Sequence, residues 1–153
     1  TTTETFVDIT LKSSDPSWVG VPIRIVTGKA LDEKVTEIKI TYKQTNEYES
    51  NELIIRFQPN EGIELRLWTK VPDYEWRVEN HSLKLDFHEQ FDDSHEAYEQ
   101  VLLDAIKSDQ SLFTTSEEVL ETWRILEPIQ KAWSMNSTDM ISYKPGANSK
   151  SVT

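Results

Sequence analysis

The sequence predicts an α+β fold: a large, predominantly antiparallel sheet with helices packed on one face. Two observations predict it. Apolar residues alternate with period two over roughly the first ninety residues, and after Phe91 the period becomes helical. Strands first and helices afterwards is the order such a fold requires.

The strands are read in turn. Val7, Ile9 and Leu11 alternate with Asp8, Thr10 and Lys12, and Ile38, Ile40 and Tyr42 with Lys39, Thr41 and Lys43. Leu53, Ile55 and Phe57 face away from Ile54, Arg56 and Gln58. Ile63, Leu65 and Leu67 alternate with Glu64 and Arg66, and Leu83, Leu85 and Phe87 with Lys84, Asp86 and His88. One apolar and one polar face marks antiparallel strands that pack on one side. Gln58 to Gly62 reads as a hairpin loop, with Pro59 and Gly62 supplying turn conformations. Val71-Pro72-Asp73 ends the next strand, and the polar stretch from Gln44 to Asn51 reads as a loop.

Tyr98, Val101, Leu102 and Ala105 share one face of a helix from about Glu96 to Ser108, with Asp93 or Ser94 available as its cap. Thr115 and Glu118, three apart, form a capping box that opens a second helix. Val119, Leu120, Trp123 and Leu126 are its expected buried stripe, and Pro128 is expected to kink it or end it near Leu126 or Glu127. From Ser134 onward the chain turns polar, with little to bury alone. No repeat, low-complexity tract or linker divides residues 1–153, which read as one domain.

Composition excludes several functions. At 37% hydrophobic and 28% charged, with five Trp, five Tyr and five Phe, the chain can bury a core. No apolar run approaches the roughly 18 residues of a membrane helix. The N-terminus is polar, so no secretory signal is expected, and the absence of an initiator Met suggests a start inside a longer chain. Without cysteine there is no disulfide, thiolate nucleophile or Cys-based zinc site, which fits a reducing cytoplasm. A net charge of −11 disfavours nucleic acid and anionic membranes as partners.

The four glycines, Gly20, Gly28, Gly62 and Gly146, lie too far apart to build a phosphate cradle, so no cofactor-binding residue is expected. His81, His88 and His95 match no ligand spacing and read as surface histidines among acidic loops, so no catalytic or metal-binding residue is assigned. Carboxylate pairs such as Asp92-Asp93 arise by chance among 27 acids.

The most informative segment runs from Trp18 to Leu31. There a strand ends at Gly28, Lys29 follows at once, and Lys34 lies five residues on. Gly28 is expected to let the backbone turn sharply, projecting Lys29 where ligand sites commonly sit. Two ammonium groups would suit a phosphorylated or hydroxyl-rich anion. The same residues also fit a solvated turn whose lysines discourage strand addition.

Several segments resemble one family in order and spacing. Thr3-Glu4-Thr5-Phe6, Trp18-Val19-Gly20-Val21-Pro22 and Thr27-Gly28-Lys29-Ala30-Leu31 look like the part of glucose-6-phosphate dehydrogenases just after their catalytic region. The run from Asn51 to Gly62 is similar to the family's Asn-x-Leu-x-x-Arg-x-Gln-Pro-x-Glu strand and turn. Leu85-Asp86-Phe87, the run from Glu96 to Ala105, Asp109 to Phe113 and Trp123 to Ile129 continue the likeness, which spans about Thr3 to Trp133.

The resemblance implies the C-terminal β+α domain, residues 1–153, of an enzyme that transfers hydride from glucose 6-phosphate to NADP, giving 6-phosphogluconolactone in the oxidative pentose phosphate route. It implies substrate contacts at Lys29, Lys34 and Gln58, and a homodimer through the sheet, with Arg56, Glu64, Arg66 and Trp68 outward. The family's Rossmann domain and His-containing catalytic segment have no counterpart here, so the chain alone is expected to be inactive and to hold no NADP. Val26 and Glu64-Leu65-Arg66 depart from the residues that bind a second, structural NADP in animal members. The tail from Tyr143 to Ser149 is only loosely similar to the family's Tyr-x-x-Gly-Ser-x-Gly-Pro ending. The competing reading is a stand-alone, non-catalytic assembly or regulatory module on the same scaffold.

Overall fold

The computed structural model describes residues 3–44, 47–87, 97–135 and 140–152. In chain order the elements are β1 (Phe6–Lys12), β2 (Pro22–Gly28), β3 (Thr36–Thr41), β4 (Glu52–Gln58), β5 (Gly62–Lys70), β6 (Val78–Asp86), α1 (Ala97–Lys107) and α2 (Ser116–Met135), with a short 3-10 turn at Ser149–Ser151. The α+β class and the antiparallel pairing are as expected. The strands form a β1–β2 pair and a four-stranded sheet in the order β3-β4-β5-β6.

The chain divides into two compact units, residues 1–33 with 101–153, and residues 34–100. The first is assembled from both ends of the sequence, which is why no linker composition announces it.

In the second unit, consecutive strands pair antiparallel, with Ile40 opposite Leu53, Leu53 opposite Leu65, and Leu65 opposite Leu83. Opposed residues share a face, so this register lines up the apolar face. Glu37, Lys39, Glu52, Ile54, Arg56, Glu64, Arg66 and Lys84 fall on the other. Ile54 is 4% exposed, whereas Ile38 is 50% and Leu83 65% exposed. Ion pairs surround Ile54: Lys39 to Glu52 at 2.7 Å, Arg66 to Glu64 at 2.8 Å and to Glu52 at 3.4 Å, and Arg56 to Glu37 at 3.2 Å. Their methylene stems shield Ile54 while the charged ends stay wet.

The β4–β5 hairpin requires Gly62, where a Cβ would lie 2.5 Å from the Leu85 carbonyl oxygen. Asn60 carries the left-handed conformation of the loop (φ 56°), a role asparagine tolerates better than most residues. The Gln58–Pro59 peptide is cis.

The helices differ from expectation in what they cover. Extensive contacts between elements are strand on strand, and Tyr98, Val101 and Leu102 of α1 are exposed while Asp104 is buried. The expected cap residues Asp93 and Ser94 lie outside the described residues. The end of α1 is well defined. Ser108 is left-handed (φ 57°), its N–H donates to the Ala105 carbonyl, and the Asp109 N–H donates to the Asp104 carbonyl at 2.9 Å, the double bond of a Schellman stop.

The capping box of α2 forms as read. Thr115 Oγ1 accepts from the Glu118 N–H at 3.2 Å, and Glu118 Oε2 accepts from the Thr115 N–H at 2.7 Å. Pro128 does not end the helix, which continues to Met135. A proline removes one hydrogen bond, and here Leu126, Ile129 and Trp133 are half-buried along one line across that position. Val119, Leu120 and Trp123 are exposed rather than buried.

The tail also corrects its reading. Residues 140–152 belong to the first unit, Ala147 bridges Leu31 in parallel, and Val152 is buried. The partners of the tail are near the N-terminus, which local periodicity cannot reveal.

Candidate functional site

Strand β2 delivers Lys29. It pairs along its whole length with β1, from Phe6 opposite Gly28 to Lys12 opposite Pro22. Arg24 Nε donates to Asp8 Oδ1 at 2.8 Å, and the same guanidinium forms an ion pair with that carboxylate. Hydrogen bonding from Arg24 holds the Asp8 carboxyl below its usual range.

The Lys29 N–H donates to the Thr5 carbonyl at 2.8 Å, which continues the ladder one residue beyond Gly28. The turn itself falls on Ala30, whose φ is 51°, and not on Gly28 as the sequence suggested. Glycine is needed at 28 for space. A Cβ there would lie 2.8 Å from Phe6 Cδ2 and 3.0 Å from Leu31 Cδ1.

The Lys29 side chain makes no ion pair with a described residue and borders a shallow concavity of about 300 Å³. Thr3, Thr5, Ser142 and Tyr143 also line it. The chain's net charge is −11, and most of its arginines are tied to carboxylates, so an uncommitted ammonium is a place where an anion can be held.

Lys34 and Gln58 lie in the second unit. Gln58 is opposite Thr36 at the start of β3, two residues after Lys34. Both residues therefore sit at one end of the four-stranded sheet, exposed, and Lys34 likewise has no ion pair with a described residue. Lys29 belongs to the first unit.

His81 lies exposed on β6, opposite Leu67, while His88 and His95 lie outside the described residues. Among the described residues no three His, Cys, Asp or Glu side chains are grouped to hold a metal. No described helix is long and apolar enough to cross a membrane.

A dinucleotide does not fit the described residues. Its phosphates need converging backbone amides, often at a helix N-terminus. The four glycines stand apart, and the start of α2 carries Glu117 and Glu118, with the capping box using the amide of Glu118.

The fold and the lysine turn define a class: an α+β domain that offers cations at strand ends. The family model for the C-terminal domain of glucose-6-phosphate dehydrogenase matches residues 1–151, and the chain belongs to that family. It is 36% identical to glucose-6-phosphate 1-dehydrogenase of Dickeya dadantii, over 94% of this chain and 32% of that protein. It is 37% identical to glucose-6-phosphate 1-dehydrogenase 2 of Mycobacterium tuberculosis, over 90% and 29%. A solved glucose-6-phosphate dehydrogenase in complex with its substrate glucose 6-phosphate superposes with a TM-score of 0.82 at 30% identity, covering 97% of this chain and 32% of that one. The enzyme of Mycobacterium avium superposes with a TM-score of 0.76 at 28% identity, covering 96% of this chain and 32% of its own. The chain thus spans about a third of the length of the relatives it matches.

The sequence reading missed Tyr143 as part of this site. The tyrosine in its loosely matching tail was the available signal.

Proposed function

We propose that this chain is the substrate-site and dimerisation portion of a cytoplasmic, NADP-dependent glucose-6-phosphate dehydrogenase. The whole enzyme oxidises glucose 6-phosphate to 6-phosphogluconolactone in the oxidative pentose phosphate route. The observation that carries this reading is the family match over residues 1–151, joined to a lysine held at a strand end whose ammonium pairs with no described carboxylate. Lys29, Lys34 and Gln58 are the substrate contacts this reading assigns to the chain. Charge and hydrogen bonds there hold the sugar so that carbon 1 faces the coenzyme, and fixing that geometry lowers the entropic part of the barrier. Coenzyme binding and proton removal belong to residues outside this chain.

The partner is a second copy, through the four-stranded sheet. Arg56, Glu64, Arg66 and Trp68 share the polar face of that sheet, and arginine and tryptophan are enriched at interfaces. Light scattering should report a dimer for the parent protein, and a strict monomer at every concentration removes this part.

The test of function is kinetic. In the parent protein, Lys29→Ala should raise the KM for glucose 6-phosphate roughly 10- to 100-fold, the range expected for losing a charged hydrogen bond. An unchanged KM removes Lys29 from the site. A coding sequence upstream of Thr1 without a dinucleotide fingerprint and a histidine-bearing catalytic segment would favour the non-catalytic module instead.

A further inference from the structure

Lys29 is held by the far end of the chain. The Tyr143 hydroxyl lies 2.7 Å from the Lys29 carbonyl oxygen and 3.0 Å from the Thr5 carbonyl oxygen. One O–H is therefore shared between the two carbonyls on either side of the ladder rung that Lys29 makes. The Thr5 oxygen already accepts from the Lys29 N–H at 2.8 Å, so the hydroxyl closes a ring of contacts around this residue's backbone.

The Tyr143 ring packs edge-on against Phe6 with centroids 5.9 Å apart, and Phe6 occupies the space that the missing Cβ of Gly28 leaves. Three further bonds extend the strap. The Gly146 N–H donates to the Ala30 carbonyl at 2.7 Å, the Asp32 N–H donates to the Ala147 carbonyl at 3.1 Å, and Asn148 Nδ2 donates to Asp32 Oδ2 at 2.8 Å.

The strap grips the residue that needs it. Ala30 is left-handed (φ 51°), a conformation costly for a side chain with a Cβ. Such residues persist where the surroundings over-determine them, and they cluster at ligand sites. A solvated loop has no need of a strained alanine clipped by a segment more than a hundred residues away. A turn that must present Lys29 in one direction does.

We propose that Tyr143 is a positioning residue. Through its hydroxyl and the strap of residues 143–148 it fixes the backbone from which the Lys29 ammonium reaches the sugar phosphate. This rests on the reading of Lys29 as a substrate contact. Tyr143 itself need not touch substrate.

The test uses the parent dehydrogenase with Tyr143→Phe, which keeps the ring on Phe6 and deletes only the hydroxyl. The amides of residues 29–32 should exchange with deuterium about tenfold faster, with exchange in β4 and β5 unchanged. The KM for glucose 6-phosphate should rise about three- to tenfold with kcat changed less, the effect of one neutral hydrogen bond acting on ground-state binding. Asn148→Ala, which breaks a separate bond of the strap, should move both readouts in the same direction by less. Unchanged exchange at residues 29–32 overturns the clamp outright. Faster exchange with an unchanged KM, in a protein where Lys29→Ala does raise KM, overturns positioning and leaves the substrate reading standing. If Lys29→Ala also has no effect on KM, the substrate reading fails and the positioning role falls with it.

Discussion

The four-stranded sheet and the Lys29 turn hold their cations in opposite ways. In the sheet, Lys39, Arg56, Arg66 and Lys84 are each within 4 Å of a glutamate and share the face of Ile54. At the turn, the backbone of Lys29 is held at both its N–H and its carbonyl, and its ammonium pairs with no described carboxylate. A cation already matched to an acid serves packing and leaves little for a ligand. One whose main chain is pinned and whose charge is uncommitted can bind an anion without first breaking a bond.

The two glycines make the same contrast and should give the largest stability effects. Gly62→Ala drives a Cβ into backbone, 2.5 Å from the Leu85 oxygen, and should destabilise the protein by about 2–3 kcal/mol, the upper range for overpacking. Gly28→Ala meets side-chain atoms of Phe6 and Leu31 that can shift, and should cost about 1 kcal/mol. Urea midpoints read with tryptophan fluorescence decide between them. Equal losses would mean that the turn is as rigidly built as the sheet.

Ser108→Gly comes next. It relieves a left-handed residue at the Schellman stop of α1 and should stabilise by about 1 kcal/mol, seen as a raised urea midpoint. A fall would show that the Ser108 side chain contributes more than its backbone strain costs. The charge lattice over Ile54 should give less. Arg66→Met keeps the stem and removes the charge, and should change stability by under about 1 kcal/mol at low salt and by still less at high salt, because the pair is partly exposed. A larger loss, insensitive to salt, would mean that the lattice carries the sheet.

The smallest effect is a pH dependence. Hydrogen bonds from the Thr115 N–H and hydroxyl hold the Glu118 carboxyl below its ordinary value. Its stabilisation of the α2 start is therefore complete above the unfolded glutamate pKa and is lost as pH falls through the lowered folded value. Circular dichroism on the acid side should show helicity lost earlier in wild type than the remaining structure. Glu118→Gln should remove that step.

These contrasts also separate what the sequence revealed from what it hid. Period-two alternation placed β4 and β5, and Thr115 with Glu118 placed the start of α2, because those signals lie within a few residues of each other. Lys29 could be singled out for the same reason. Its support could not, because Tyr143 and Asn148 act from the other end of the chain on Thr5, Ala30 and Asp32. Of the two outcomes expected at Pro128, an end to the helix does not occur: α2 runs on to Met135, with Leu126, Ile129 and Trp133 half-buried in line across the proline. The exposed faces of Val119, Leu120 and Trp123 were misread because apolar spacing shows which side would bury and not whether a cover is present.

If coenzyme binding and proton removal belong to residues outside this chain, as proposed, residues 1–153 alone cannot reduce NADP. The 153-residue chain mixed with glucose 6-phosphate and NADP should leave the absorbance of reduced nicotinamide flat and indistinguishable from a protein-free control. A steady rise above that control, lost on heating the protein, would contradict the account.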